Sequence, residues 1–129
     1  MSFDETRLAP HLPHPATIEA YGKGGFRFAG MSHRGSLLCL PDGIWAWPVA
    51  RPEDVTEATF APVFARAEAI GVFLIGSGRD VWTVPAALRM RFHELKLNVE
   101  TTRTGTAVST YNILLGEGRR VAAALIAVE

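Results

Sequence analysis

Apolar and polar residues alternate over short stretches in the first third of the chain, which is the pattern of half-buried β-strands. Phe26 and Phe28 flank a polar residue and follow a glycine-rich turn, so residues 18–33 are predicted to form a hairpin. A second hairpin is predicted for residues 36–47, where Pro, Asp and Gly form a turn between two apolar stretches. The pattern therefore predicts antiparallel β-structure at the start of the folded part of the chain.

Beyond residue 50, the spacing of apolar residues changes to that of helices separated by short strands. Three helices are predicted: residues 60–69 with Thr59 as the N-cap, a helix with Pro85 in its first position, and a helix that opens at Thr104-Gly105 and ends at Gly116. The strands predicted between them are 72–75, 81–84, 99–102 and 119–128. Residues 72–75 are all apolar, so this strand is predicted to be covered on both faces at the centre of the sheet. The order of elements predicts an α/β domain with a mixed sheet.

Length and composition favour one compact domain. The chain has 129 residues, of which 48% are hydrophobic, enough for a core that needs neither a disulfide nor a metal. Pro10, Pro13 and Pro15 interrupt the first segment, so residues 1–16 are predicted to be an extended arm that frays or lies along the body. Residues 17–129 are predicted to form the single α/β domain.

The charge balance argues against nucleic acid and membranes as partners. Thirteen basic and thirteen acidic side chains give a formal net charge of zero, so no overall positive field would hold nucleic acid or an anionic membrane. The longest apolar run, residues 121–128, is shorter than the ~20 residues that cross a bilayer as a helix. The first residues carry early acidic side chains and no apolar core segment, so they are not expected to be a signal peptide.

The sequence lacks the familiar catalytic and metal-binding patterns. Cys39, the one cysteine, lies in an apolar strand and cannot form an internal disulfide or a multi-thiolate site. His93 begins a segment like a zinc-protease helix, but Leu97 stands where the second histidine would be. Neither Ser77 nor Ser109 lies in a Gly-x-Ser-x-Gly motif. We therefore assign no catalytic residue, no metal and no cofactor, although the members of a dispersed triad could still meet in space.

The glycine-rich turn after the predicted central strand is the first candidate for a binding site. Gly76, Ser77 and Gly78 begin like a dinucleotide-binding motif, but Val81 replaces its third glycine and no helix is predicted to follow. The turn could present N–H groups and the Arg79 guanidinium to a small anion. The favoured interpretation is a tight turn that needs glycine for its backbone, so both glycines are expected to have conformations disfavoured for other residues.

Polar residues within the third predicted helix are the second candidate. Thr110 and Asn112 are mediocre helix formers and need a reason for their position. A structural reason is that Asn112 and the Tyr111 hydroxyl bond to backbone groups of neighbouring loops. A functional reason is that Thr110, Asn112 and Arg119 join the glycine turn around a cleft for a small anionic ligand. The structural reason is favoured, and any cleft is expected beside these residues and the glycine turn.

Two further features suggest surfaces for another protein. Arg89 and Arg91 contribute to a mild excess of basic residues between positions 79 and 120, which could dock an acidic partner; a solvated helix face is the ordinary explanation. Trp45 and Trp47 occupy alternate positions of one predicted strand, so both rings face the same side. Core packing is predicted for them, and a protein-contact surface is the alternative.

The C-terminal half of the chain resembles a known family. The segments that carry the resemblance are 72–78, 104–107, 110–115 and 117–125. Its specific part is the Thr-Tyr-Asn segment that starts at Thr110, followed by the Glu-Gly-Arg segment that starts at Glu117. The chain is similar to a family of small domains of unknown function whose relatives include a mitochondrial complex I assembly factor and an adipogenesis-associated protein. The resemblance runs from about residue 18 to the C-terminus.

This resemblance implies a single α/β domain with about three helices, in which a mixed, strongly curved sheet closes towards a barrel. It brings no catalytic residues, and the mitochondrial members work through protein–protein contact. We therefore expect a bacterial member of the family that acts as a non-catalytic interaction or assembly-factor-like module in the cytoplasm. Its partner is expected to be another protein, and a homo-oligomer is compatible with this. The rival hypothesis is a small anionic ligand-binding protein, or an unrecognised enzyme, with a cleft at Gly76-Ser77-Gly78.

Overall fold

Residues 10–129 are described by a computed structural model, and they form eight β-strands and three α-helices. The strands are β1 (Ile18–Gly22), β2 (Gly25–Phe28), β3 (Met31–Arg34), β4 (Ser36–Leu40), β5 (Gly43–Trp47), β6 (Val72–Gly76), β7 (Val99–Thr102) and β8 (Val121–Leu125). The helices are α1 (Ala61–Phe64), α2 (Ala86–Glu94) and α3 (Thr104–Gly116). The prediction of a single α/β domain with a mixed sheet and about three helices is confirmed.

The first three strands form an antiparallel sheet in the order β1-β2-β3. Phe26 and Phe28 are buried while Arg27 between them is exposed, as the alternation of residue types predicted. Both phenylalanines pack in the cluster that also contains Tyr111 of α3 and Leu74 of β6. The predicted hairpin is therefore confirmed, and it covers the side of the larger sheet on which α3 lies.

The larger sheet has five strands in the order β5-β4-β8-β6-β7. β4 pairs antiparallel with both β5 and β8, whereas β8, β6 and β7 run parallel to one another. The predicted hairpin β4–β5 is confirmed, and so is the strand at 72–75, whose residues are all buried. β8 is the middle strand, and β6 lies directly beside it. Residues buried on both faces are what this interior position requires, because helices or strands cover both sides of the sheet.

The other side of the larger sheet packs against α1 and α2 through a cluster of aromatic rings. The Phe60 ring stacks on Trp47 at a centroid distance of 5.5 Å and meets Phe73 and Phe92 edge-on at 5.6 Å each. Each such pair of rings contributes about 0.5–1.5 kcal/mol of stability beyond the contribution from burying the apolar surface of the rings. Trp45 and Trp47 are both buried, so the prediction that they belong to the core is confirmed.

The predicted closure of the sheet towards a barrel is wrong. Within residues 10–129, β5 and β7 are the two edges of the five-stranded sheet, and they do not pair with each other. The strands β1, β2 and β3, which could have extended the larger sheet, form a separate sheet instead. Covering layers on both faces remove the need for closure, because the apolar faces are already buried by helices on one side and by α3 with the small sheet on the other.

Residues 81–84, predicted as a strand, pair with no other strand in the described part of the chain. The Ser77 hydroxyl donates to the Asp80 carbonyl, which holds the preceding residues in a turn. The Val81 side chain is 72% exposed, so the apolar pattern that predicted a strand does not reflect burial on a sheet. Pro85 is the N-cap of α2, and the helix begins one residue later than predicted.

The first predicted helix is shorter than expected, and so is the last strand. α1 has four residues; within the predicted 60–69 helix, Phe60 ends the 3-10 turn Ala58–Phe60, residues 65–66 form a turn, and Ala67–Ala69 form a second 3-10 turn. Thr59 does not cap α1, because its hydroxyl donates to the Thr56 carbonyl at 2.8 Å. The strand predicted at 119–128 is limited to the five residues of β8. Local periodicity gave the right element types here but not their ends.

The arm predicted at residues 1–16 lies partly outside the described residues, which begin at Pro10. The described part contacts the outer edge of β5: the His11 N–H donates to the Ile44 carbonyl at 2.8 Å, and the Ile44 N–H donates to the Leu12 carbonyl at 2.9 Å. These bonds cover main-chain groups of an edge strand. Among the described residues, no helix is both long enough and apolar enough to cross a membrane.

Candidate functional site

The glycine turn and the start of α3 are joined through one buried side chain, Thr104. Its hydroxyl accepts a hydrogen bond from the Gly78 N–H at 2.9 Å and donates to the Ile126 carbonyl at 2.7 Å. Its own N–H donates to the Gly78 carbonyl at 3.0 Å. Thr104 is fully buried, and these bonds fix the N-terminus of α3 against the ends of the parallel strands β6 and β8. Any site at this end of the sheet is therefore built on a rigid junction.

The two glycines of the turn have different structural roles. Gly78 has φ 94°, a left-handed value that other residues rarely adopt, so the prediction for this position is confirmed. Gly76 does not lie in the left-handed region, and the same prediction is wrong for it. Gly76 is needed for space instead, because a Cβ there would lie 3.0 Å from the Thr104 Cα and 3.1 Å from Leu125 Cδ2.

Ser77 is buried, and its hydroxyl has acceptors within the turn. The oxygen lies 2.7 Å from the Asp80 carbonyl and 3.1 Å from the Thr102 carbonyl. The Ser77 N–H also donates to the Thr102 carbonyl, at 2.8 Å. Buried polar groups are normally paired in this way, so the side chain stabilises the turn and its hydroxyl proton is committed to backbone acceptors.

A surface pocket of about 560 Å³ lies between the first turns of α3, the end of β1 and the segment after β6. Three of the predicted site residues, Gly78, Arg79 and Thr110, line it. The remaining lining residues are Tyr21, Arg103, Gly105, Thr106, Ser109, Ile113 and Val128. We call the surface formed by Tyr21, Arg79, Arg103 and Ile113 around this pocket the α3 surface. Arg79 and Arg103 are the charged residues of the lining, and no carboxylate belongs to it.

The electrostatic character of the α3 surface is positive. The Arg79 Nη2 donates to the main-chain oxygen of Glu129 at 3.0 Å, which leaves most of its guanidinium donors free. Arg103 is exposed and has no ion pair among residues 10–129. Gly105 and Thr106 also line the pocket, and their N–H groups belong to the first turn of α3, where intrahelical acceptors are lacking. An anionic group would therefore be favoured here by charge and by hydrogen-bond donors.

Asn112 and Tyr111, which the sequence placed beside the glycine turn, instead form hydrogen bonds at and just before the start of β1. The Asn112 side chain accepts from the Ile18 N–H and donates to the Ile18 carbonyl, both at 2.8 Å. The Tyr111 hydroxyl donates to the Ala16 carbonyl at 3.1 Å. The favoured structural reason for Asn112 is confirmed, but its partner is the start of β1 and not the glycine turn. Thr110 makes no such bond within the described residues.

The structure does not bring Arg119 to the pocket. α3 has 13 residues and is thus about 20 Å long. Arg119 follows the C-terminal end of α3, whereas Arg79 and Gly78 lie at the N-terminal end. Arg119 was grouped with Arg79 because both side chains are cationic, but the length of α3 keeps them at opposite ends of the helix. Tyr21, Arg103 and Ile113 were not among the site residues predicted from the sequence. The signal available for Ile113 was its spacing of four residues from Ser109, which places an apolar side chain on a polar face of the helix.

The remaining reactive groups of the described residues do not form a second site. Burial raises the pKa of the Cys39 thiol to about 12, with a smaller opposing effect from a hydrogen bond with Tyr111. The thiol is therefore neutral near pH 7, and a thiolate nucleophile is not available there. Among residues 10–129, no three His, Cys, Asp or Glu side chains are grouped closely enough to hold a metal ion.

Replacing Gly76 with alanine is expected to lower the free energy of unfolding by about 1–3 kcal/mol, because the new Cβ crowds Thr104 and Leu125 in a packed junction. Gly116→Ala is the matched control: a Cβ there meets no atom within 4 Å, and alanine is the better helix former. The control should therefore be neutral or more stable by up to about 1 kcal/mol. Urea unfolding measures both, and a Gly76→Ala protein as stable as the wild type would contradict the close contact.

Asn112→Ala is expected to reduce stability by about 1–3 kcal/mol, because it leaves the N–H and carbonyl of Ile18 without their partner. Ser109→Ala on the same helix should change stability by less than about 0.5 kcal/mol, since Ser109 is exposed and its hydroxyl makes no hydrogen bond to another residue within residues 10–129. Thermal unfolding followed by circular dichroism compares the two. Equal stability of both variants would show that the pairing with β1 contributes nothing.

Known proteins with similar sequences match nearly all of this chain. An uncharacterized protein of Rhodobacter capsulatus is 37% identical over 122 residues, which are 92% of this chain and 93% of that protein. The NADH dehydrogenase (ubiquinone) 1 alpha subcomplex assembly factor 3 of Mus musculus is 28% identical over 119 residues, which are 92% of this chain and 64% of that protein. The chain thus matches less than two thirds of the length of the mouse protein.

The fold is also found in solved structures, and a family description covers most of the chain. The crystal structure of an outer membrane protein from Bartonella henselae matches with a TM-score of 0.89 and 45% identity, over 92% of this chain and 100% of that one. The family described as Protein of unknown function (DUF498/DUF598) matches residues 18–126. The resemblance seen in the sequence is therefore confirmed, and this chain belongs to the DUF498/DUF598 family.

Proposed function

We propose that this protein is a non-catalytic interaction module that binds another protein, in the manner of an assembly factor. The observation that carries the proposal is the α3 surface, where two exposed apolar side chains lie beside two arginines. Ile113 is 62% exposed and Tyr21 is 48% exposed. Tyrosine and arginine are the residue types that dominate binding energy at protein interfaces. This surface stands on a helix fixed by Thr104, so a partner would meet a preorganised site.

The family relationship supports the same function. The mouse relative is by name an assembly factor of NADH dehydrogenase (ubiquinone), and the aligned region spans 92% of this chain. The domain described here corresponds to the matched part of that longer protein. The proposal assigns to this chain only the general role of that relative, which is to bind another protein during assembly. It does not name the partner. A cytoplasmic location is part of the proposal, and fractionation of the host cell tests it.

The proposal predicts that the α3 surface captures a stoichiometric partner. Affinity purification of the tagged wild-type chain from its native host, followed by mass spectrometry, is expected to recover that partner. Ile113→Asp should reduce recovery at least about tenfold, because losing a contact of about 2 kcal/mol or more weakens binding by that factor. Met90→Asp is the matched control, since Met90 is 66% exposed but lies on α2.

Two results would count against this function. The first is a reproducible absence of any stoichiometric partner for the wild type. The second is a partner that is recovered equally with Ile113→Asp, which would show that binding does not use the α3 surface.

Both variants, Ile113→Asp and Met90→Asp, place a charge at an exposed apolar position, so a difference in folding is not expected to explain a difference in recovery. Circular dichroism of the purified variants checks this.

A second candidate function is the binding of a small anionic ligand in the pocket of the α3 surface. The observation that favours it is the lining itself, which holds Arg79, Arg103 and the first-turn N–H groups of α3 without a carboxylate. Inorganic phosphate and a panel of nucleotides and dicarboxylates serve as probes in a thermal-shift assay. A ligand present at a hundred times its dissociation constant would stabilise the protein by about 2.7 kcal/mol.

Arg79→Ala and Arg103→Ala are expected to abolish such a shift while leaving the unfolding temperature without ligand nearly unchanged. Arg119→Ala is the control, because Arg119 lies beyond the other end of α3. A shift that persists in both pocket variants, or that Arg119→Ala removes, would place the ligand elsewhere. No shift with any of these probes would count against this second candidate function.

A further inference from the structure

β7 is the open edge of the five-stranded sheet. It pairs with β6 on one side, and no described strand pairs with it on the other. The opposite edge differs, because residues 11 and 12 bond to Ile44 of β5 and cover it. An exposed edge strand is a template for pairing with another chain, and proteins usually blunt or cover it. The two edges of this sheet are therefore not equivalent.

The outward groups of β7 are identified by its register with β6. Phe73 N–H donates to the Asn98 carbonyl and Ser77 N–H donates to the Thr102 carbonyl, both at 2.8 Å. In a parallel ladder, alternate residues of one strand make all the bonds to its neighbour. The N–H and C=O groups of Val99 and Thr101 therefore point away from β6, and they offer two donors and two acceptors to an added strand.

A groove of about 310 Å³ lies directly beside this edge. Val99 and Thr101 form its wall on the sheet side, and Trp82 and Val84 form part of another wall. The remaining lining residues come from α2 and the turn after it: Arg89, Phe92, His93 and Leu97. Val84, Phe92 and Leu97 are buried, while Trp82 and Val99 are half-buried. A side chain that projects from a strand added to β7 would thus enter an apolar groove.

Arg89 is the charged residue among those that line the groove. It is exposed and makes no ion pair among residues 10–129. No carboxylate lines the groove. Glu100 is on the opposite face of β7 from Val99 and Thr101, because side chains alternate along a strand. A carboxylate facing the groove is favoured by Arg89, whereas a carboxylate on the other face would meet Glu100.

We propose that the β7 edge binds an extended, acidic segment of a partner protein as an additional strand. Main-chain bonds to Val99 and Thr101 give the pairing, as in other cases of strand addition. Alternate side chains of the segment enter the groove, one of them a carboxylate near Arg89 and its neighbours apolar. The side chains on the opposite face are uncharged because of Glu100. This site is separate from the α3 surface, since the groove lies on the side of the sheet that α2 covers.

The probe is an acetylated, amidated peptide, Thr-Val-Thr-Glu-Thr-Val-Thr, which places Val, Glu and Val on one face when extended. Its matched control has Lys in place of Glu. The 15N-labelled full chain is titrated with each, and amide hydrogen exchange is measured. The glutamate peptide is expected to slow exchange of the Val99 and Thr101 amides and to bind about five- to tenfold more tightly than the lysine peptide.

Two variants test the two halves of the proposal. Thr101→Pro removes one outward N–H while Glu100 and Thr102 keep their bonds to β6, so peptide binding should be lost with the sheet intact. Arg89→Glu reverses the exposed charge without touching the core, so the preference should switch to the lysine peptide. If Thr101→Pro fails to fold, the change of preference from the glutamate peptide to the lysine peptide in Arg89→Glu still tests the proposal.

Several outcomes would overturn the proposal. These are no protection of Val99 and Thr101 at millimolar glutamate peptide, equal binding of both peptides, and an unchanged preference in Arg89→Glu. Protection of the same amides that rises with protein concentration in the absence of peptide would show instead that a second copy of the chain occupies the edge. None of these results bears on partner capture by the α3 surface, because Ile113 and β7 lie in different parts of the structure.

Discussion

The junction at Thr104 is the constraint on which the rest of the structure depends. A hydroxyl buried without partners would cost about 1–3 kcal/mol, but here it bonds to both Gly78 and Ile126. These bonds fix where α3 begins relative to β6 and β8. The close approach explains why residue 76 is glycine, since a Cβ there would contact Thr104. The position of the α3 surface follows directly from this junction.

Once α3 is fixed at its first turn, its middle residues determine what covers that side of the sheet. Asn112 binds both main-chain groups of Ile18, so β1 and the small sheet attached to it are held against α3. Tyr111 adds a bond to the segment just before β1. Asn112, one of the two polar helix residues that the sequence offered for a cleft, thus links the two sheets, whereas Thr110 lines the pocket. Only the residues of the exposed face remain available to a ligand or partner.

Elements with a strong periodic pattern could be predicted from the sequence, and contacts between elements could not. The first hairpin was predicted from its alternation of residue types, β6 from a continuous apolar run, and α3 from the glycines that mark its start and end. Residues 81–84 have the same apolar pattern, but they border a groove without a strand to pair with. Arg119 was grouped with Arg79 by charge, although the length of α3 separates them. The bonds of Asn112 to β1 join residues 94 positions apart, and no local pattern encodes that distance.

The two proposed surfaces would recognise partners by different physical means. At the α3 surface the chemistry is that of side chains, Tyr21, Ile113 and two arginines, so single substitutions there change selectivity directly. At the β7 edge, main-chain groups of Val99 and Thr101 would supply the pairing, and these are the same for any sequence in that conformation. Selectivity at the edge must then come from the groove beside it, where Arg89 supplies the charge. A partner that used both surfaces would have to reach around the sheet, because α3 and α2 cover opposite faces of it.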